Sequence, residues 1–125
     1  MKHIRFIAFS FVAVLMFVAG AYAALPHTVK DYARVEMGGA TLLAEVVRDG
    51  AAWQRGLSGR TGLAKTGGML FVFPQAAHYG IWMKDMRFAI DIFWIRDGVV
   101  VDLAESVAPS PAGTADAALP VYTPD

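Results

Sequence analysis

The 125-residue chain has no cysteine. That excludes disulfides, thiolate nucleophiles, Cys-ligated zinc and thiol redox chemistry. It also has no net charge, since 11 Lys plus Arg balance 11 Asp plus Glu. A basic nucleic-acid footprint and an acidic disordered tail are both excluded, and no nucleic-acid partner is expected. Histidine is scarce: beyond His3 only His27 and His78 remain, too few for an H-E-x-x-H site or a three-histidine zinc. The acids are scattered, without the D-x-D-x-D run of a calcium loop. Gly56-Leu57-Ser58-Gly59-Arg60 lacks the second spacer of a G-x-S-x-G elbow. Lys65-Thr66 follows Ala64 and precedes a strand pattern, so it forms no phosphate loop. Neither metal nor cofactor is expected. What the chain does have is apolar side chains, 56% of residues, with 12% aromatic. That rules out intrinsic disorder, and the length suits one domain with one core.

The N-terminal residues differ from the rest. Met1-Lys2-His3-Ile4-Arg5 is a basic start, Phe6 to Ala19 is apolar but for Ser10, and Ala21-Tyr22-Ala23 is a small-x-small sequence. Basic, apolar, small is the order of a secretory signal peptide. The expected boundaries are residues 1–23 as signal peptide, 24–31 as linker and 32–125 as a single β-rich domain. The alternative is an uncleaved anchor over residues 6–25, since about 20 apolar residues span a bilayer. Either way the domain is extracytoplasmic, periplasmic or secreted, and touches a membrane only through this segment. Losing Lys2 and Arg5 leaves 9 cations against 11 anions.

Along the domain, Tyr32–Glu36 and Thr41–Val47 read as strands joined by Gly38-Gly39, a pair suited to the positive φ of a tight hairpin. Thr41 and Glu45 share a face of the second strand. Asp49 is a candidate N-cap for one or two helical turns ending at Gly56. Met69–Phe73 is short and wholly apolar, hence a buried strand. Ile81–Lys84 predicts a short strand. Asp97-Gly98, between Ile90–Ile95 and Val99–Leu103, is the strongest hairpin signal in the chain. Prolines 109, 111, 120 and 124 mark Ala108–Asp125 as loop or extended chain, and no internal repeat is present. The expectation is a mainly β (α+β) fold, a compact curled antiparallel sheet or small barrel with one short helix.

Four elements then stand out: Arg55-Gly56-Leu57-Ser58-Gly59-Arg60, Gly68-Met69-Leu70-Phe71-Val72-Phe73, Trp82-Met83-Lys84-Asp85 and Ile90-Asp91-Ile92. In this order and spacing the chain resembles the bacterial and archaeal family called domain of unknown function 192, over about residues 35–110. Ser58 stands where the family pattern has methionine, and Ala89 where it has proline. Family members continue past a Y-x-P segment into a further strand, whereas this sequence ends at Tyr122-Thr123-Pro124-Asp125. On that pattern the domain lacks its last strand. The resemblance implies a fold and supplies no reaction.

Asp91 interrupts an apolar strand, so a cation is expected beside it, because an unpaired buried carboxylate costs several kcal/mol. Arg55, Arg60, Lys84 and Arg87 are the candidates. The structural reading pairs Asp91 with Arg60 or Lys84 and pins the glycine-rich bend to the sheet. A second reading is a cleft in which Arg60, Lys84 and Asp91 meet a small or polymeric anionic ligand, with Trp82 as stacking wall. A third makes Asp91 the general base of a hydrolase or transferase, helped by His78. A fourth is an accessory protein acting through a protein partner. Gly56, Gly59 and Gly68 read as turn glycines and Arg55 as structural. Trp53 and Trp94 read as core anchors. The leading expectation is an exported, non-catalytic β-rich module with an anionic-ligand cleft near Arg60, Trp82 and Lys84.

Overall fold

The computed structural model describes residues 5–7 and 30–125. The proposed leader or anchor, and most of the linker, lie outside the described residues; Arg5–Ile7 is the exception. Strands dominate: β1 (Arg5–Ile7), β2 (Asp31–Met37), β3 (Ala40–Val47), β4 (Gly67–Phe71), β5 (Ile81–Trp82), β6 (Ile90–Arg96), β7 (Val99–Val107) and β8 (Val121–Tyr122). One short helix, α1 (Gly50–Arg55), and a 3-10 turn at Asp116–Ala118 complete the described elements.

The mainly β fold with one short helix is as expected, but its strands form three sheets, none closed into a barrel. The first has the order β1-β2-β3-β4. The expected all-antiparallel pairing fails at β3–β4, which is parallel, with Ala44 opposite Gly68. The reason is the connection. Helix α1 and the residues after it return the chain from the C-terminal end of β3 to a point opposite Leu43, as a crossover must for parallel strands. Gly68 is consequently a strand residue and not a turn glycine. The β2–β3 hairpin closes at Gly38 and Gly39, with φ of 59° and 83°. Two successive residues at positive φ match the twist of the flanking strands and suit glycine at both places.

Helix α1 begins as its sequence dictates. Asp49 is extended, and its carboxylate accepts from the Ala52 N–H at 2.9 Å, satisfying one orphan donor of the first turn. Gly56 at φ 45° ends the helix, its N–H donating to the Ala52 carbonyl.

The β6–β7 hairpin joins two cores. Toward its tip, Ile95 and Val100 pack on Val35 and Ala44 of the first sheet, with Met37, Leu42 and Leu70. Toward its base, Ile92 and Val107 pack on Met83, with Ile90, Trp94 and Ala104 of the same hairpin. Trp94 and Ile95 are adjacent yet serve different cores, as opposite faces of a strand must, and a register slip lies between them. Beneath the second core β5 pairs with β8, Ile81 opposite Tyr122 and Trp82 opposite Val121. The Ala108–Asp125 segment, expected as loop or extended chain, thus supplies a two-residue strand. Trp94 packs on the second core as expected, its indole N–H donating to the Tyr79 carbonyl (3.0 Å), whereas Trp53 belongs to neither core and donates to the Val47 carbonyl (3.2 Å). Phe73 stacks on Tyr79 with centroids 3.7 Å apart, beside Trp53 and Phe71.

Candidate functional site

The Arg55–Arg60 bend meets the Trp82–Asp85 segment, as the sequence suggests, but by different groups. The Ser58 hydroxyl donates to the Lys84 carbonyl at 2.7 Å. The Gly59 N–H donates to the Asp85 carbonyl at 2.9 Å. Asp85 sits at φ 53°, a left-handed conformation that Asp tolerates better than most residues. Leu57 is buried in the bend, and Met83, at 1% exposure, is the most buried large side chain described. The polar stitches therefore lie directly over apolar packing. Arg55 closes α1 and stays exposed, and its carbonyl accepts from the Ser58 N–H.

The expected cation for Asp91 is absent among the described residues. Asp91 is exposed, and its Oδ1 accepts instead from the Ser106 N–H at 2.8 Å. Ile90 pairs with Val107 while Ile92 pairs with Ala104, so Glu105 and Ser106 together oppose Asp91. That is a β-bulge, with Ser106 at φ 51°. A bulge leaves a backbone donor without a ladder partner, and the Asp91 carboxylate supplies one. The carboxylate needs no ammonium because it points outward, where water solvates it.

Arg60 and Lys84 are engaged elsewhere. Arg60 Nη2 donates to Glu45 Oε2 at 2.8 Å, and Lys30 Nζ reaches the same oxygen at 3.2 Å. The Glu45 carboxylate is only 12% exposed. Burial pushes its pKa up, but the Arg60 and Lys30 hydrogen bonds and charges outweigh this and hold it below the usual value. Lys84 pairs with Asp116, and that hydrogen bond, with the charges of Asp116 and Asp85, holds the ammonium pKa above the usual value against partial desolvation. Lys84 Nζ also lies 5.3 Å from the centroid of the Trp82 ring, within cation–π range. Lys84 itself lies in the turn after β5 and not in the strand, which ends at Trp82. His78 stands apart, with Nδ1 3.2 Å from the Pro124 carbonyl. That contact requires the proton on Nδ1.

An open cleft of about 550 Å³ lies beside these stitches. One wall is the bend and strand end, Ser58, Gly59, Lys84, Asp85 and Arg87. The other is the Ser110–Thr114 loop with Asp116. Arg60, Trp82, Asp91 and His78 are not among the cleft's lining residues. Sequence reasoning missed Ser110, Thr114 and Asp116 because they sit in a proline-bounded loop, and loop position is set by tertiary contacts alone. Arg87 stood out only as a partner for Asp91. Among the described residues no group of three or more His, Asp or Glu is arranged to hold a metal ion.

A β-rich domain with its glycine bend sewn to the turn after a short strand, beside a polar cleft, is the class these observations define. The sequence matches the model of domain of unknown function 192, described as an uncharacterized ACR, over residues 33–123. The chain belongs to that family. No curated protein and no solved structure matches it.

Proposed function

We propose that the protein is an exported, non-catalytic binding module whose cleft takes a hydroxyl-rich ligand bearing an anionic group. The observation that carries this is Arg87. It lines the cleft, and no ion pair occupies it among the described residues, whereas Lys84 on the same wall is paired with Asp116. A guanidinium offers a planar fork of donors suited to a carboxylate or phosphate. Around it, Ser58, Ser110 and Thr114 supply hydroxyls, and Asp85 and Asp116 supply acceptors for ligand O–H groups. Two cations against two carboxylates leave the lining without net charge, so a polyanion has no long-range attraction to it. The ligand class that fits is an acidic sugar or similar polyol acid. Arg60 then contributes by fixing the bend through Glu45, and Trp82 borders the site through its contact with Lys84.

Calorimetric titration of the full chain with glucuronate, and with glucose as the uncharged control, tests this reading. Saturable glucuronate binding is expected, weakened at least tenfold in Arg87→Ala and in glucose. Equal affinity of the parent and Arg87→Ala for glucuronate, or no saturable heat, removes the proposal. Catalysis by Asp91 draws no support from the geometry, since the carboxylate caps a bulge and lies outside the cleft. An accessory role at a partner surface has one observation in its favour: Trp82 and Val121 are opposed in register and exposed, Val121 at 60%.

A further inference from the structure

Strand β1 covers the outer edge of β2, with Arg5 opposite Glu36, Phe6 opposite Val35 and Ile7 opposite Arg34. Phe6 and Ile7 also open the apolar run read as leader or anchor. They cannot lie in a bilayer, or leave with a cleaved leader, and remain in the sheet. Export by either route therefore vacates that edge. An open edge presents a row of unpaired N–H and C=O groups and pairs readily with another strand.

We infer that the vacated β2 edge pairs antiparallel with β2 of a second copy of this chain, joining two sheets across a two-fold axis at Val35. The inference rests on the export reading above. Its register follows from charge. A two-fold axis at Val35 sets Arg34 opposite Glu36 twice and Val35 opposite Val35. An axis at Arg34 or at Glu36 would instead oppose like charges, which is unfavourable across a strand pair. The same register brings Tyr32, half exposed here, to Gly38 of the other copy, where no side chain competes for the space. The pairing spans Ala33 to Met37 and ends at the Gly38-Gly39 turn. An isologous contact of this kind closes at two copies and leaves β4 at each outer end.

The test uses the chain recovered from the cell envelope, read by intact mass and by sedimentation over a range of concentrations. The export reading requires either loss of residues 1–23 or membrane association of the intact chain. The edge pairing requires a concentration-dependent dimer of that same form. Arg34→Glu is expected to weaken the dimer at least tenfold, and adding Glu36→Arg to restore it to within about threefold, with unchanged circular dichroism throughout. A monomer at every concentration, or a double variant no better than the single, overturns the pairing while leaving export intact. Recovery of the unprocessed chain from the cytoplasm alone overturns the export reading, and the vacated edge with it.

Discussion

The two cores are held by different means. The Val35–Ala44 core lies under β2 and β3, strands of 7 and 8 residues in a continuous antiparallel ladder. The Met83–Ile92–Val107 core is roofed on one side by β5 and β8, of two residues each. Where strands are long, backbone ladders fix position and side chains need only alternate. Where they are short, individual hydrogen bonds fix position instead, from Ser58 to Lys84 and from Gly59 to Asp85. The cleft sits beside the second region. Irregular backbone leaves polar groups facing outward, and a rigid neighbouring sheet holds them in place.

Substitutions can break this contrast. The largest effect is expected at Met83, where truncation to Ala leaves a cavity in the stitched region. A loss of about 2–5 kcal/mol is expected by urea unfolding. A loss below about 1 kcal/mol would show that this core closes up on its own. Gly80 comes next. A Cβ there runs into Val121 Cγ1 of β8 and comes within 3.3 Å of Thr123 Cγ2. Gly80→Val should cost about 1–3 kcal/mol as an overpacking change and should raise amide exchange at Val121 and Tyr122 well above that in β2–β3. Uniform exchange across both regions would mean that β8 is not held separately.

A smaller effect is expected at Asp91. Asp91→Ala removes the acceptor of the Ser106 N–H and should cost about 1 kcal/mol. Asp91→Asn retains a carbonyl oxygen for the same bond and should recover most of it. If Asn were as damaging as Ala, negative charge and not hydrogen bonding would be the role of this residue.

The pH dependence separates the regions at the smallest scale. The Glu45 pKa lies below its usual value in the folded chain, so its contribution is present above the unfolded value, about 4.3. It is lost as pH falls through the folded value. Glu45→Gln should flatten the acid limb of stability against pH, measured by thermal melting between about pH 3 and 5, around the unfolded carboxylate value. The Lys84 pKa lies above its usual value, so its contribution is complete below about pH 10.4 and is lost as pH rises through the folded value. The side chain is a third exposed, so solvent screening keeps this effect small. Lys84→Met should change the alkaline limb only slightly. A large alkaline change would place the cleft wall in a drier setting than its exposure indicates.

The sequence was most legible where local chemistry decides. Gly38-Gly39 and Asp97-Gly98 announced their hairpins, and Asp49 announced α1, because φ preference and capping act within a few residues. It was least legible where distance decides. An acid within an apolar strand suggests a counter-ion, yet Asp91 meets a backbone donor exposed by a one-residue bulge, and no periodicity reveals a bulge. Alternation put Glu45 on one strand face with Thr41, yet could not show that it receives Arg60 and Lys30 from two other segments. The Arg55–Arg60 bend meets Trp82–Asp85 through Ser58 and Gly59, whereas the sequence pattern offers Arg60 for that role. The far wall of the cleft, from Ser110 to Asp116, is legible only in three dimensions.

Chemical-shift mapping of the isotope-labelled full chain during glucuronate addition locates the ligand on the domain. Saturating shifts confined to Ser58, Gly59, Arg87 and Thr114 are the predicted result, with little change at Tyr32 or Leu43. Shifts centred on Trp82 and Val121, or spread evenly over both regions, would contradict it.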